Sequence, residues 1–216
     1  MDKRFAIFDM DGTLVDSMGY WQRLSGEYLV SKGVTENTEH ILERIKAMTV
    51  AEAAALFVQV FRLSGTAEDV AAEMNAMMDE HYRRDIPLKR GVMDYLSRLR
   101  QAGVRMCVAS ATTAELMEAC LSRLGAAEYF EFLLSCEEVG SGKSRPDVFL
   151  EAARRLGAQP GEIAVYEDAL HAAQTARKAG FYTVAVFDDS GRSEWEQLRA
   201  LTDEAIADWP TAVQTI

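Results

Sequence analysis

The chain has 216 residues, of which 49% are hydrophobic, so it can bury a substantial core as one domain or as one domain with a smaller insert. Its formal net charge of −11 would repel nucleic acids and anionic lipid surfaces. We therefore expect no nucleic-acid partner and no membrane partner. The sequence carries no sign from which an oligomeric state can be predicted.

The N-terminal residues and the cysteines indicate a cellular compartment. Four consecutive apolar residues precede Asp9, which is too few for a signal peptide, and no later run is long enough to span a bilayer. Cys107, Cys120 and Cys136 show neither CxxC nor CxxH spacing. We expect buried thiols rather than disulfides or a zinc site, and hence a cytoplasmic protein.

The first predicted strand, RFAIFD at residues 4–9, is followed by a long interval that differs from the rest of the chain. Residues 17–85 contain no proline and have the apolar spacing of amphipathic helices. A methionine stripe near Met74 and Met78 would be either a flexible binding surface or, as we prefer, the interior of a helical bundle. The interval therefore predicts a helical insert with two connections, an arrangement suited to opening and closing over a site.

Beyond residue 85, predicted strands alternate with predicted helices. Thr112 and Glu115 would form a capping box at the start of one helix, and Gly157 and Gly180 follow the ends of two others. This alternation is typical of an α/β fold with a parallel sheet that is covered on both faces. The predicted strands are VRMCVAS at 104–110, EFLLS at 131–135, IAVYED at 163–168 and TVAVFD at 183–188.

Carboxylates follow two of these strands at the point where each strand ends. In an open α/β sheet the carboxyl ends of the strands are where ligands bind, so Asp9 and Asp11 should meet Glu167 and Asp168 there. Two carboxylates about 4 Å apart repel by about 1 kcal/mol in water and about 4 kcal/mol at an effective dielectric near 20. A bound cation would offset this repulsion, and a set of hard oxygen ligands favours Mg²⁺.

Simpler structural roles exist for the same carboxylates. Asp9 and Asp11 could form a turn, and Asp168 could cap the following helix. We favour the cation site because several separate segments point to one site.

Two further segments carry groups that suit a phosphate. Ser110 lies where a predicted strand gives way to a helix, so its hydroxyl and the following backbone amides could bind an anion or merely cap the helix. Lys143 lies in a glycine-rich loop, GSGKSRPDVF, and could be solvated or directed at the carboxylates. In the second case its charge would neutralise both the phosphate and a nearby carboxylate.

Taken together, these residues resemble the haloacid dehalogenase superfamily, in the branch with a small helical cap to which β-phosphoglucomutase and phosphoglycolate phosphatase belong. DMDGTL resembles its DxDGT signature, Ser110 and Lys143 its second and third motifs, and YED its fourth-motif acidic pair. The resemblance spans essentially the whole chain. It implies a Rossmann-like core domain at residues 1–16 and 86–216 and an all-helical cap domain at 17–85.

The resemblance also implies a phosphatase mechanism and a role for each matching residue. Asp9 would be the nucleophile that forms an aspartyl-phosphate, and Asp11 the general acid and then the general base. The metal would be Mg²⁺, and its ligands would be Asp9, the backbone carbonyl of Asp11, Glu167 and Asp168. The phosphate would be bound by Gly12, Thr13, Ser110, Ala111 and Lys143.

The chain departs from this resemblance at the fourth motif. Ala169 and Ala172 stand where relatives commonly have serine and glycine. This puts in doubt the outer hydrogen bonding of that motif and the close approach of its helix, but not the carboxylates.

The expected substrate is a small phosphate ester. Asp11 favours phosphoryl transfer over dehalogenation, because dehalogenases of the superfamily lack an aspartate at that position. Mutase relatives use a histidine early in the cap, and here no histidine precedes His40. We therefore predict a phosphatase for a phosphorylated metabolite such as a sugar phosphate. The alternatives are a phosphohexomutase of the β-phosphoglucomutase type and a non-catalytic phosphate-binding regulatory protein.

Overall fold

The computed structural model describes residues 3–45, 48 and 50–213. The chain divides into two compact units. The sheet unit comprises Met1–Ser17 and Ile86–Ile216, and the helical unit is Met18–Asp85. Ser17 thus groups with the sheet unit, one residue from the predicted boundary.

Within the described residues, the sheet unit is built on six parallel strands in the order β3-β2-β1-β4-β5-β6. The predicted α/β fold with a parallel sheet is therefore confirmed. The sixth strand was missed by the sequence analysis, because its residues, Glu204–Ile206, lack the apolar run that marked the other strands. The strands are β1 Phe5–Phe8, β2 Arg105–Ser110, β3 Leu133–Ser135, β4 Ile163–Glu167, β5 Tyr182–Val186 and β6 Glu204–Ile206.

The helical unit buries one face of each of its longer helices. The stripe on its last helix, which includes Met74 and Met78, is about 1% exposed, so the bundle interpretation is confirmed. The N-cap of that helix is Thr66, whose side chain forms a capping box with Asp69. The sequence TVAE also predicts a helix start with a capping box at Thr49, but Thr49 lies outside the described residues. The helices are α1 Met18–Ser31, α2 Glu39–Ile45, α3 Val50–Phe61 and α4 Ala67–Arg84.

The helices of the sheet unit alternate with its strands. Gly157 ends one of them with a φ of 71°, a left-handed conformation that glycine adopts without steric cost. The three cysteines are free and buried, as predicted. In the described part of the chain, no helix is long and apolar enough to cross a membrane. The helices are α5 Val92–Gln101, α6 Ala114–Arg123, α7 Cys136–Val139, α8 Asp147–Leu156, α9 Leu170–Lys178, α10 Trp195–Leu201 and α11 Trp209–Val213.

The strand order places the central strand β1 between β2 and β4. Phe8, the last residue of β1, pairs with Val108 on one side and Tyr166 on the other. The chain leaves β1 toward β2 and later returns to β4 on the other side, which makes this edge a topological switch point. The carboxyl ends of β1, β2 and β4 therefore lie next to one another and define one candidate site.

Candidate active site

The loop after β1 is closed by its own backbone hydrogen bonds. The amides of Leu14 and Val15 donate to the carbonyl of Met10 at 2.8 and 3.0 Å, and the amide of Gly12 donates to Val15 at 3.0 Å. Gly12 has a φ of 76°, which favours glycine at this position. Its amide thus donates within the loop, whereas the predicted phosphate contact would need that amide to be available for a ligand. What Gly12 supplies in the structure is the turn.

Lys143 lies inside the cluster of carboxylates at the end of β1 and β4. It is 9% exposed, and its Nζ donates to Asp9 Oδ1 and, at 2.7 Å, to Glu167 Oε1. The alternative of a solvated loop lysine is therefore wrong. Burial alone would lower the pKa of Lys143, but the charges of Asp9 and Glu167 outweigh it and raise that pKa above its usual value. The lysine is held as a cation.

The carboxylates of the cluster are costly to ionise together. Burial raises the pKa of Asp9, Lys143 opposes that rise, and the charge of Asp11 adds to it. Burial likewise raises the pKa of Glu167 to about 8, against the effect of Lys143. One ammonium group thus compensates the cluster only in part.

Asp168 completes the acidic cluster. Burial, followed by the charge of Asp9, raises the pKa of Asp168 to about 7. Its Oδ1 accepts a long hydrogen bond of 3.4 Å from the Thr13 hydroxyl. The N-cap of α9 is Ala169, one residue further on, so the alternative in which Asp168 caps this helix is wrong.

The donor set of this cluster fits a divalent cation. Asp9, Glu167 and Asp168 each offer one carboxylate oxygen, and these oxygens lie within 4.8 Å of one another. All of them are hard oxygen ligands, which suits Mg²⁺ better than zinc or copper. A dication would supply the charge that Lys143 alone does not.

Asp11 has a different environment from the cluster. Its Oδ1 accepts a 2.6 Å hydrogen bond from the hydroxyl of Ser17, and its Oδ2 accepts one of 2.6 Å from that of Thr112. The capping role predicted for Thr112 is therefore wrong, because the N-cap of α6 is the next residue, Thr113. The capping-box pattern favours Thr112, because Glu115 follows it by three residues, but the fold places the N-cap one residue later.

Ser110 is the last residue of β2 and is 1% exposed. Its Oγ accepts a 3.1 Å hydrogen bond from the amide of Thr112, so it shapes the turn and does not cap α6. Ala111 follows at an exposed position of the same turn. Because β2 is the neighbour of β1, this turn lies beside Asp9 at the carboxyl edge of the sheet.

Two polar groups near this edge were missed by the sequence analysis. Lys89 and Asp188 form an ion pair of 2.8 Å, in which Asp188 follows the strand β5. The rule that identified Asp9, an aspartate at the end of an apolar run, applies equally to Asp188. Lys89 gave no such signal, because it lies between predicted elements and belongs to no motif.

Comparisons with known proteins agree with the motifs. A model described as haloacid dehalogenase-like hydrolase matches residues 4–180. This range holds the DMDGTL loop, Ser110, Lys143 and the Glu167–Asp168 pair.

Several curated relatives have phosphatase names. The fructose-1-phosphate phosphatase YqaB of Escherichia coli is 29% identical over 86% of this chain and 98% of its own length. The bifunctional riboflavin kinase/FMN phosphatase of Arabidopsis thaliana is 29% identical over 83% of this chain. The match covers 47% of the Arabidopsis protein, so this chain spans about half of it.

Among solved structures, a Thermotoga maritima protein provisionally named beta-phosphoglucomutase has a TM-score of 0.83. It is 20% identical, and the match covers 99% of each chain. At this identity the likeness concerns the fold, and it extends over both units of the chain.

Proposed function

Because this chain belongs to the haloacid dehalogenase-like hydrolase family, we propose that it is a magnesium-dependent phosphatase that hydrolyses a small phosphorylated metabolite through an aspartyl-phosphate. The observation that carries the proposal is the cluster of buried Asp9, Lys143 and Glu167 with the half-buried Asp168 at the switch point of the sheet. Phosphoric monoester hydrolase is also the enzyme class that the names of the curated relatives support.

Asp9 is the proposed nucleophile. One of its oxygens would attack phosphorus while Lys143, bound to Asp9 Oδ1, offsets the charge of the carboxylate and of the incoming phosphoryl group. Glu167 holds the other side of the same ammonium at 2.7 Å and so fixes its direction. The bond between phosphorus and the leaving oxygen breaks as the aspartyl-phosphate forms.

Asp11 is the proposed general acid and base. It would give a proton to the leaving oxygen and later take a proton from the water that hydrolyses the aspartyl-phosphate. The hydroxyls of Ser17 and Thr112 hold its two oxygens and so fix the orientation of the carboxylate. This environment differs from that of the buried Asp9, as two carboxylates with different tasks require.

The residues that would hold Mg²⁺ are Asp9, Asp168, Glu167 and the backbone carbonyl of Asp11. The ion supplies positive charge, which reduces the repulsion between an anionic nucleophile and an anionic substrate. Ser110, Lys143 and the amides near Thr13 and Ala111 would bind the phosphoryl oxygens. For Gly12 we retain the role of shaping the loop, since its amide donates to Val15.

The substrate class and the role of the helical unit follow from the same reasoning. A sugar phosphate is favoured, because YqaB is named for a sugar phosphate. We assign to the helical unit, which is inserted after Ser17, the role of a cap that selects the ester. The free, buried cysteines fit a reducing compartment, so we place the enzyme in the cytoplasm.

The test is a panel of phosphate esters with and without Mg²⁺, in which released inorganic phosphate is measured. D9N and D11N are expected to lose turnover, and chelation of Mg²⁺ should abolish it in the wild type. Turnover by D9N would contradict the proposed nucleophile. Phosphorus NMR identifies the product, and an isomeric sugar phosphate in place of inorganic phosphate would instead indicate a mutase. If no ester were hydrolysed but a phosphometabolite still raised the melting temperature, a non-catalytic binding protein would be indicated.

A further inference from the structure

Lys89 and Asp188 form an ion pair next to the proposed active site, and both side chains make further hydrogen bonds. Lys89 Nζ lies 2.8 Å from Asp188 Oδ2 and donates at 2.8 Å to the carbonyl of Phe187. The two side chains are 14% and 6% exposed. Asp188 Oδ1 accepts from the amide of Ser190 at 2.9 Å and from its hydroxyl at 2.6 Å. Both charged groups are thus held in one geometry.

The pair joins two segments that carry proposed catalytic groups. On one side, the backbone amide of Lys89 donates at 2.9 Å to the carbonyl of Leu14, in the loop that carries Asp11. On the other side, Asp188 caps the turn Asp189–Gly191, which lies against Asp168. A Cβ built on Gly191 would lie 3.6 Å from the carbonyl oxygen of Asp168.

We propose that Lys89 and Asp188 are positioning residues, which hold Asp168 in register with the loop after β1 so that the two segments bind Mg²⁺ together. This inference rests on the proposed function. Of the two residues, Asp188 lies beyond the matched range of 4–180. The pair has no net charge, and we assign its contribution to the cross-link.

An electrostatic role and a positioning role of the pair predict opposite changes in Mg²⁺ affinity for K89M. K89M removes a positive charge, so electrostatics alone would tighten Mg²⁺ binding, whereas loss of the cross-link would weaken it. The double variant K89M/D188N leaves the net charge unchanged and removes only the cross-link. Groups that orient metal ligands typically change metal affinity by about 10- to 100-fold when they are mutated.

The experiment measures Mg²⁺ binding to the metal-free full-length protein by calorimetry. We expect K89M/D188N to raise the Kd for Mg²⁺ about tenfold or more. The single variant K89R keeps the charge and the hydrogen-bond donors, so it should retain most of the wild-type affinity. The kcat of K89M/D188N at saturating Mg²⁺ should recover toward the wild-type value. The control is R105M/E131Q, which removes the exposed pair of Arg105 and Glu131 at the start of β2, and it should leave the Kd unchanged.

A wild-type Kd in the double variant would overturn the inference, as would a K89M protein that binds Mg²⁺ more tightly than wild type. If the double variant does not fold by circular dichroism, the isosteric D188N is measured instead, and an unchanged Kd there would likewise overturn it. The two proposals fail in different ways. A wild-type protein that binds no Mg²⁺ would contradict the proposed function, whereas normal wild-type binding and turnover with an unaffected double variant would contradict only the positioning role.

Discussion

The Thr112 hydroxyl donates a 2.6 Å hydrogen bond to Asp11 Oδ2. The neighbouring Thr113 has a separate task, because its hydroxyl accepts a 3.4 Å hydrogen bond from the amide of Leu116 at the start of α6. Two adjacent threonines thus serve the proposed acid–base group and the helix end. A matched pair of substitutions can separate these two roles.

T112V should slow turnover. A hydrogen bond to a charged group contributes about 1.5–3 kcal/mol, so we expect kcat to fall by about tenfold to 100-fold, with a smaller change in KM. T113V, the control, should lower the free energy of unfolding by about 1 kcal/mol and change kcat little. Steady-state kinetics and urea unfolding measure both. Equal kcat values for the two variants would contradict a specific role of Thr112 at Asp11.

K143M should destabilise the protein and abolish turnover. It would leave the carboxylates of Asp9 and Glu167 buried without their cation, and breaking a buried ion pair costs about 3–5 kcal/mol. Added Mg²⁺ should recover part of this stability, because it compensates the same carboxylates. The control is K178M on the exposed end of α9. A K143M protein as stable as K178M in urea unfolding would refute the structural role of this lysine.

A169S should stabilise the protein. Ala169 is the N-cap of α9 with extended backbone dihedrals, and its methyl group cannot accept a hydrogen bond from the helix amides. A serine there is expected to add about 1 kcal/mol to the free energy of unfolding. A72S, in the exposed middle of α4, should instead lower it by a few tenths of a kcal/mol. Thermal and urea unfolding distinguish the two variants. An unchanged free energy of unfolding in A169S would show that a serine at this position does not accept a hydrogen bond from the helix amides.

D203N should reveal a pH-dependent contribution to stability. Burial would raise the pKa of Asp203, but hydrogen bonds of 2.8 and 3.0 Å from the amide and hydroxyl of Thr183 outweigh this effect. The pKa of Asp203 therefore lies below its usual value. A lowered pKa stabilises the fold above the unfolded-state value of about 4, and this contribution is lost as the pH falls through the folded-state pKa. Near neutral pH, the free energy of unfolding of the wild type should exceed that of D203N by about 1 kcal/mol.

The measurement for D203N is urea unfolding of both proteins over a range of pH. The difference between them should stay constant from neutral pH to about pH 5 and then shrink below about pH 4. A difference that persisted unchanged in strong acid would mean that the carboxylate charge does not contribute.

The sequence alone determined the class of the fold and the chemistry of the site. Runs such as FAIF and IAVY are apolar because parallel strands are buried on both faces, and this local pattern predicts strands without knowledge of their order. The aspartates after those runs predicted an acidic cluster by the general rule for open sheets, and the ordered motifs predicted the family. The family was confirmed by the match over residues 4–180.

Only the tertiary structure decided which groups meet. Lys143 contacts Asp9 across 134 residues of sequence, and Thr112 rather than Thr113 contacts Asp11. The pairing of Lys89 with Asp188 and the short strand β6 were likewise absent from any periodic pattern. The physical reason is that burial patterns are local properties of a segment. Hydrogen bonds and ion pairs depend instead on distances that are set by strand order and loop closure, which no single segment encodes.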